Sequence, residues 1–350
     1  MPLSERKLSP DRVSFVKSLT LAEVESLVAN RVIRVLQTAE PVEPRTWELL
    51  NECLFPNRPD IELRVYGFYS ARCDLSFLSR LKNVRRFAAD CLRNAHGVDQ
   101  ISALPELESL SVGIYDLEGF EFLADLHGSR LTKLSLGATK SKKPSLGVLQ
   151  KFSQLRTLYI EGQRKDIEVI GQLRQLEDLT LRSVTVPGLG FIRSLNGLWS
   201  FDMKLGGTTN LSALESMNGV KYLHLWQVKG LSDLSVISTM RGLQFVFLHS
   251  LRNVRRLPDL SALKGLRRLY LETMAGLEDL DALCQAPALE EFVHMDARRM
   301  EFRDYKSLLM LKTLKRAVVG FGSEKKNRAF RELMAQVGIE EYQRSAFQFV

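Results

Sequence analysis

Three groups of side chains in this 350-residue sequence could carry chemistry: five histidines, four cysteines and a recurring set of carboxylates. The histidines are His96, His127, His224, His249 and His294. His224 and His249 fall at matching places in successive segments. On neighbouring strands they would approach to roughly 5–8 Å. A two-histidine metal site needs further donors, and no Cys, Asp or Glu joins them at the adjacent outward positions. A hydrogen-bonding role within an aromatic surface is the stronger reading. His294 occupies an inward slot and reads as a core histidine, the alternative being a bulge that turns it outward. The cysteines, Cys53, Cys73, Cys91 and Cys284, have no CxxC spacing, so reduced thiols in the cytoplasm are expected. Asp74, Asp166, Asp233, Asp279 and Asp304, with Asn210, each precede an apolar helical run. They read as caps accepting backbone N–H bonds, not as paired acid–base groups. The chain contains no phosphate loop, nucleophile elbow or HExxH motif. No enzyme activity, metal or cofactor is expected.

The aromatic residues are more informative. Tyr222, His224, Trp226, Phe245, Phe247, His249 and Tyr270 alternate with leucines and valines. Residues two apart on a strand share a face, so these seven point away from the side that the leucines bury. Charges of both signs flank them: Asp202, Lys204, Arg268 and Glu272. An apolar centre with a polar rim is the composition of a protein-binding face, and Tyr and Trp dominate binding energy at such faces. The competing reading is that aromatics simply favour strands and stack along them. Equivalent slots elsewhere hold Ser109, Ser111, Gly113, Ser135 and Gly137, so the clustering is local. The expected partner-binding residues are those seven with Lys204, Arg268 and Glu272.

The elements that position them form a repeat. The pattern apolar-x-x-apolar-x-apolar occurs at Val84/Phe87/Ala89, Leu107/Leu110/Val112, Leu131/Leu134/Leu136, Leu155/Leu158/Ile160, Leu176/Leu179/Leu181 and Leu198/Phe201/Met203. It continues at Val220/Leu223/Leu225, Leu243/Val246/Leu248, Leu266/Leu269/Leu271, Leu289/Phe292/His294 and Leu314/Ala317/Val319, with a period of 21 to 25 residues. Apolar residues about nine, six and three positions earlier fit a short helical turn on the far side. Before the repeat, Met1–Leu19 reads as a loose or partly helical lead. Thr20–Ala29 reads as a helix capped by Thr20 with Glu23, Val32–Leu36 as a strand, Pro44–Phe55 as a helix and Ile61–Val65 as a strand. After it, Glu324–Val337 reads as a helix capped by Ser323 and closed by Gly338. The tail Ile339–Val350 reads as a last strand over the open end.

Stretches such as LEDLTL (176–181), VKYLHL (220–225) and LRRLYL (266–271) resemble the leucine-rich-repeat family, in its short bacterial internalin-like class and the related phosphatase-regulator class. The resemblance implies an α/β repeat solenoid, a leucine-rich-repeat horseshoe of about 11 to 12 turns with a concave parallel β-sheet and short 3₁₀ or α helices on the convex side. The expected domains are an N-terminal helical and strand cap over 1–59, the repeat region over 60–322 and a helical cap over 323–350. One position departs from the family. Where it often places Asn at the bend, this chain has Val184, Val228, Leu251 and Met274.

Net charge is +8 and pI about 9.3. On the expected outward face, however, Arg64, Arg86, Lys133, Arg182, Lys204, Arg268 and Arg316 are matched by Glu62, Asp90, Glu161, Asp178, Asp202, Glu272 and Glu291. A nucleic-acid groove is positive along its length, and this face is balanced. No apolar run is long enough for a membrane helix. The expected function is a non-enzymatic scaffold in a bacterial cytoplasm, binding a protein through the concave aromatic face. The alternatives are a regulatory subunit or inhibitor of a partner enzyme, or a secreted bacterial effector with Met1–Lys17 as its secretion signal.

Overall fold

The computed structural model describes residues 3–4, 10–68, 72–126 and 130–350. His127 and part of the Met1–Lys17 lead lie outside the described residues. The chain forms two compact units, Met1–Leu176 and Glu177–Val350.

In the first unit the strands are β1 (Leu3–Ser4), β2 (Arg12–Phe15), β3 (Val35–Thr38), β4 (Glu62–Tyr66), β5 (Cys73–Asp74), β6 (Arg86–Leu92), β7 (Ala95–His96), β8 (Ser109–Ile114), β9 (Lys133–Leu136) and β10 (Thr157–Glu161). β1 pairs antiparallel with β2. From β2 the sheet runs parallel through β3, β4, β6, β8, β9 and β10. The lead therefore contributes a strand, β2, where a loose segment was expected. Helix α1 (Leu21–Ala29) has the expected capping box: Thr20 accepts from the Glu23 N–H, and Glu23 accepts from the Thr20 N–H. Helix α2 (Pro44–Leu49) continues as a wider π-turn over Leu50–Leu54 and buries Trp47, Leu50 and Leu54. The strand expected at Val32–Leu36 begins at Val35, because Arg58 holds the preceding loop. This fully buried guanidinium donates to the carbonyls of Leu27, Asn30 and Ile33 and pairs with Asp60.

In the second unit the strands are β11 (Asp178–Arg182), β12 (Ser200–Lys204), β13 (Tyr222–Trp226), β14 (Phe245–His249), β15 (Arg268–Glu272), β16 (Glu291–Met295), β17 (Arg316–Val319) and β18 (Glu340–Glu341). Neighbours pair parallel throughout. The apolar triples of the sequence are buried, from Leu176/Leu179/Leu181 to Leu314/Ala317/Val319. Short 3₁₀ turns, such as Gly190–Ser194, Ser235–Thr239 and Asp281–Gln285, lie between strands. They bury one or two apolar residues each, which is the spacing-of-three signal in the sequence. Helix α3 (Glu324–Gln336) is capped by Ser323, which accepts from the Lys326 N–H. It buries Phe330 and Met334, whereas Ala329 and Val337 of its expected face are exposed.

The missing bend asparagine has a backbone replacement. The residue after each of β11 to β16 is left-handed: Ser183, Leu205, Gln227, Ser250, Thr273 and Asp296, with φ between 49° and 57°. The N–H of Ser183, Leu205, Gln227, Ser250 and Thr273 donates to the carbonyl that closes the next strand, at 2.8 to 3.0 Å. The backbone turns itself inward, and Val184, Val228, Leu251 and Met274 fill the bend as buried apolar residues. Of the expected caps, Asp74, Asp233, Asp279 and Asn210 accept the N–H two residues on. Asp166 instead takes the hydroxyl of Ser145, and Asp304 accepts from Glu301 in a capping box.

Candidate protein-interaction face

Parallel pairing in register lays the outward side chains of the second unit in rows. Tyr222, Phe245, Arg268, Glu291 and Arg316 share one row. His224, Phe247, Tyr270 and Val293 share the next, and Lys204, Trp226, His249, Glu272 and Met295 a third. Strands in such a sheet are spaced about 4.8 Å apart, which is close enough for rings in a row to meet. They do. His224 stacks on Phe247 with centroids 4.3 Å apart and planes within 3°. Trp226 stacks on His249 at 5.0 Å and 7°. Tyr270 tilts against Phe247 at 4.6 Å, and Tyr222 meets Phe245 edge-on at 5.1 Å. Each such contact contributes about 0.5–1.5 kcal/mol beyond burial. The rings of Tyr222, Trp226, Phe245, Phe247, His249 and Tyr270 are half-buried, and His224 is buried at 8% exposure.

The expectation that no carboxylate joins the two histidines does not hold: Asp202 and Glu272 are their register partners on the neighbouring strands, and the histidines are held by stacking and by these carboxylates. Nδ1 of His224 lies 3.1 Å from Oδ2 of Asp202, which also accepts from Nζ of Lys204 at 2.8 Å. Burial pushes the Asp202 carboxyl up, but the hydrogen bonds from His224 and Lys204 outweigh it and the pKa is lowered. Lys204 is thereby committed to an internal ion pair. Burial lowers the His249 pKa, opposed by Glu272 at 4.0 Å. Both tyrosines are raised, chiefly by burial and further by nearby carboxylates: Asp202 and Asp178 for Tyr222, Glu272 for Tyr270. A largely apolar centre results. Among the described residues no three His, Cys, Asp or Glu side chains converge as a metal site. His294 is buried in its inward slot, where Nδ1 meets the Tyr305 hydroxyl at 2.9 Å, and burial depresses its pKa to about 4. All four cysteines are free thiols.

Two further expectations about this face are corrected. Arg268 is not a rim charge. It is buried at 4% exposure and ion-paired to Glu291, which also pairs with Arg316. Row neighbours of opposite sign neutralise one another, so the guanidinium tolerates burial. The tail is a strand at the end of the sheet only in its first part. Only Glu340 and Glu341 extend the sheet, and Tyr342–Val350 turns back across the outward face. Phe347 lies 5.4 Å from Phe245, and Phe349 lies 5.2 Å from Trp199 and 6.2 Å from Tyr222. Arg268 stacks over Tyr342, Phe245 and Phe347. The first row is thus partly covered, and Tyr342 and Arg344 of this segment come near enough to Tyr270 in the second row to act on it electrostatically.

Sequence reading missed the residues that precede the strands. Trp199, Lys221, Gln244 and Arg267 all contact the terminal segment. The available signal was the Phe-x-Phe spacing of Phe347 and Phe349, which puts both rings on one side of an extended chain.

The sequence matches no family model and no curated protein. Solved structures resemble the fold. An internalin of Listeria monocytogenes superposes with a TM-score of 0.60 at 17% identity, over 88% of this chain and 86% of that one. A leucine-rich-repeat protein of Leptospira interrogans gives 0.53 at 15% identity, over 94% and 93%. At such identities the likeness is one of fold: this chain has the leucine-rich-repeat fold, with a parallel sheet on one side and short 3₁₀ turns on the other. No helix among the described residues is long and apolar enough to cross a membrane.

Proposed function

We infer that this chain is a non-enzymatic scaffold that binds a protein partner through the outward aromatic face of β13 to β15. One observation carries the reading. Trp226, Phe247, His249 and Tyr270 form a continuous, half-exposed ring surface on three adjacent strands, away from the core that the repeat already buries. A repeat needs no aromatics there to fold. The equivalent slots on β8 and β9 hold Ser109, Ser111 and Ser135. Glu272 stands at the margin and would orient the partner, while Lys204 is held by Asp202 at the edge of the face. The repeat region 60–322 presents the face, flanked by the segments 1–59 and 323–350. Free thiols fit a reducing bacterial cytoplasm.

The test is a pull-down with Trp226→Ala and Phe247→Ala proteins. Either substitution is expected to lower partner recovery at least tenfold, the loss typical of an interface anchor of about 1.4 kcal/mol or more. The melting temperature is expected to fall by only a few degrees, because neither ring belongs to the core. Undiminished recovery with both variants would make the face a structural stack and nothing more.

A further inference from the structure

The terminal segment sits on the aromatic face in a manner that identifies a ligand class. Phe347 and Phe349 meet each other at 4.8 Å and pack against Tyr222 and Phe245 of the first row and against Trp199, which stands just before β12. Between the rings, side chains of the sheet grip the segment's backbone. Gln244, buried at 8% exposure, donates from Nε2 to the main-chain oxygen of Val350 at 2.6 Å and accepts the Val350 N–H on Oε1 at 2.9 Å. Nζ of Lys221 donates to the same oxygen at 2.7 Å. Arg267 donates to the Gln348 carbonyl and stacks over Phe347 at 4.8 Å. Arg268 donates to the Ser345 carbonyl at 3.1 Å.

These contacts read backbone atoms and alternate rings, not a particular sequence. Main-chain hydrogen bonds with pockets for alternate side chains are a general mode of peptide recognition. The spacing also matches. From β15 to midway between β13 and β12 is about 12 Å at the usual strand separation. The four residue-to-residue steps of extended chain from Ser345 to Phe349 cover about 13 Å. The segment crosses the strands and does not pair with them. Its last backbone bond to the sheet is from the Tyr342 N–H to Ala317, and Gln343–Ala346 are exposed. What holds it beyond that point is side-chain hydrogen bonding at a wet surface, where each bond is worth little net.

We propose that the ring cluster of Trp199, Tyr222 and Phe245, with Lys221, Gln244 and Arg267, is a groove for an extended peptide carrying aromatic residues two apart, and that Tyr342–Val350 occupies it in cis. A tethered occupant acts at an effective concentration of about millimolar, so an external peptide meets a groove that is mostly filled and binds with reduced apparent affinity. A partner presenting the same chemistry displaces the segment and gains the second and third rows as well. The proposal rests on the reading of this face as a partner surface, and it names the partner's chemistry.

The test uses the full chain and a fluorescent peptide with the sequence of residues 342–350, followed by polarisation. Replacing Phe347 and Phe349 by Ser vacates the groove. The vacated chain is expected to bind the peptide at least tenfold more tightly than the unaltered chain, and to ignore a peptide in which both Phe are Ser. Adding Gln244→Ala to the vacated chain is expected to weaken binding again. Equal affinity for both chains, or indifference to the two Phe of the peptide, overturns the proposal. So does no binding to a vacated chain whose melting is cooperative. If the double variant does not fold, the single Phe349→Ser chain is used with the same expected order, since Phe349 lies at the far end of the segment. Adding Trp226→Ala to the vacated chain separates the two claims. Peptide binding that survives while partner capture is lost supports both. Failure of the peptide with loss of capture on Trp226→Ala sinks the groove alone. Peptide binding with capture indifferent to Trp226→Ala and Phe247→Ala leaves the groove standing and sinks the wider face.

Discussion

At the scale of single residues, buried polar groups decide where the molecule is sensitive. His294 is buried against Tyr305, and its pKa is held near 4 instead of the usual 6.5. Below about pH 6.5 the unfolded chain takes up a proton that the folded chain refuses. Stability is therefore full above that pH and falls as pH drops toward 4, by up to about 1.4 kcal/mol per pH unit. His249, also lowered by burial, acts in the same direction. Urea unfolding of a His294→Gln protein should show a shallower loss between about pH 6.5 and about pH 4.5 than the unaltered chain. Parallel losses in the two proteins would exclude His294 as the titrating group. Arg58 is the other such residue. Arg58→Met leaves the carbonyls of Leu27, Asn30 and Ile33 and the Asp60 carboxylate without their donor. A cost of about 3–5 kcal/mol is expected for removing one partner of a buried charge network, read as a shift in the urea midpoint.

At the scale of elements, the close stacking of successive turns leaves no room at certain backbone positions. A Cβ on Gly242 would lie 1.8 Å from the Asn218 carbonyl oxygen, just before β14. Gly242→Ala must displace one turn against the next, and a loss of about 1–3 kcal/mol is expected. Thr273 is the converse case. It is β-branched yet left-handed, with φ 51°. Thr273→Gly should relieve that strain and stabilise the chain by up to about 1 kcal/mol, measured by thermal unfolding. The regular part of this architecture was legible in the sequence because a parallel strand buried on one side repeats its apolar residues at a fixed offset. The triples from Leu176 to Val319 mark the strands to within two residues. The bends were not legible, since Ser183, Leu205 and Thr273 have nothing in common as residue types and share only a backbone conformation. The strand in the lead, β2, was hidden by its polar flanks. The outward rings were placed correctly by alternation alone. Their cover was not, because Tyr342–Val350 is held by Lys221, Gln244 and Arg267, residues just outside the strands that the alternation picks out.

At the scale of the whole molecule, the excess of positive charge is not focused on the candidate face. Lys204 pairs with Asp202, and Arg268 and Arg316 pair with Glu291. Partner binding should accordingly depend weakly on salt, changing by less than about threefold between about 50 and about 200 mM, whereas a nucleic-acid groove would lose about a thousandfold. Each turn of the repeat buries its apolar side in the same way, so what distinguishes β13 to β15 is confined to their outward side chains and to the segment that crosses them. The most direct measurement is affinity purification from the native cell with three proteins side by side: the unaltered chain, Trp226→Ala, and Phe347→Ser with Phe349→Ser. The account predicts one partner enriched on the unaltered chain, more strongly on the vacated chain, and lost on Trp226→Ala. Equal recovery of that partner on all three would contradict it.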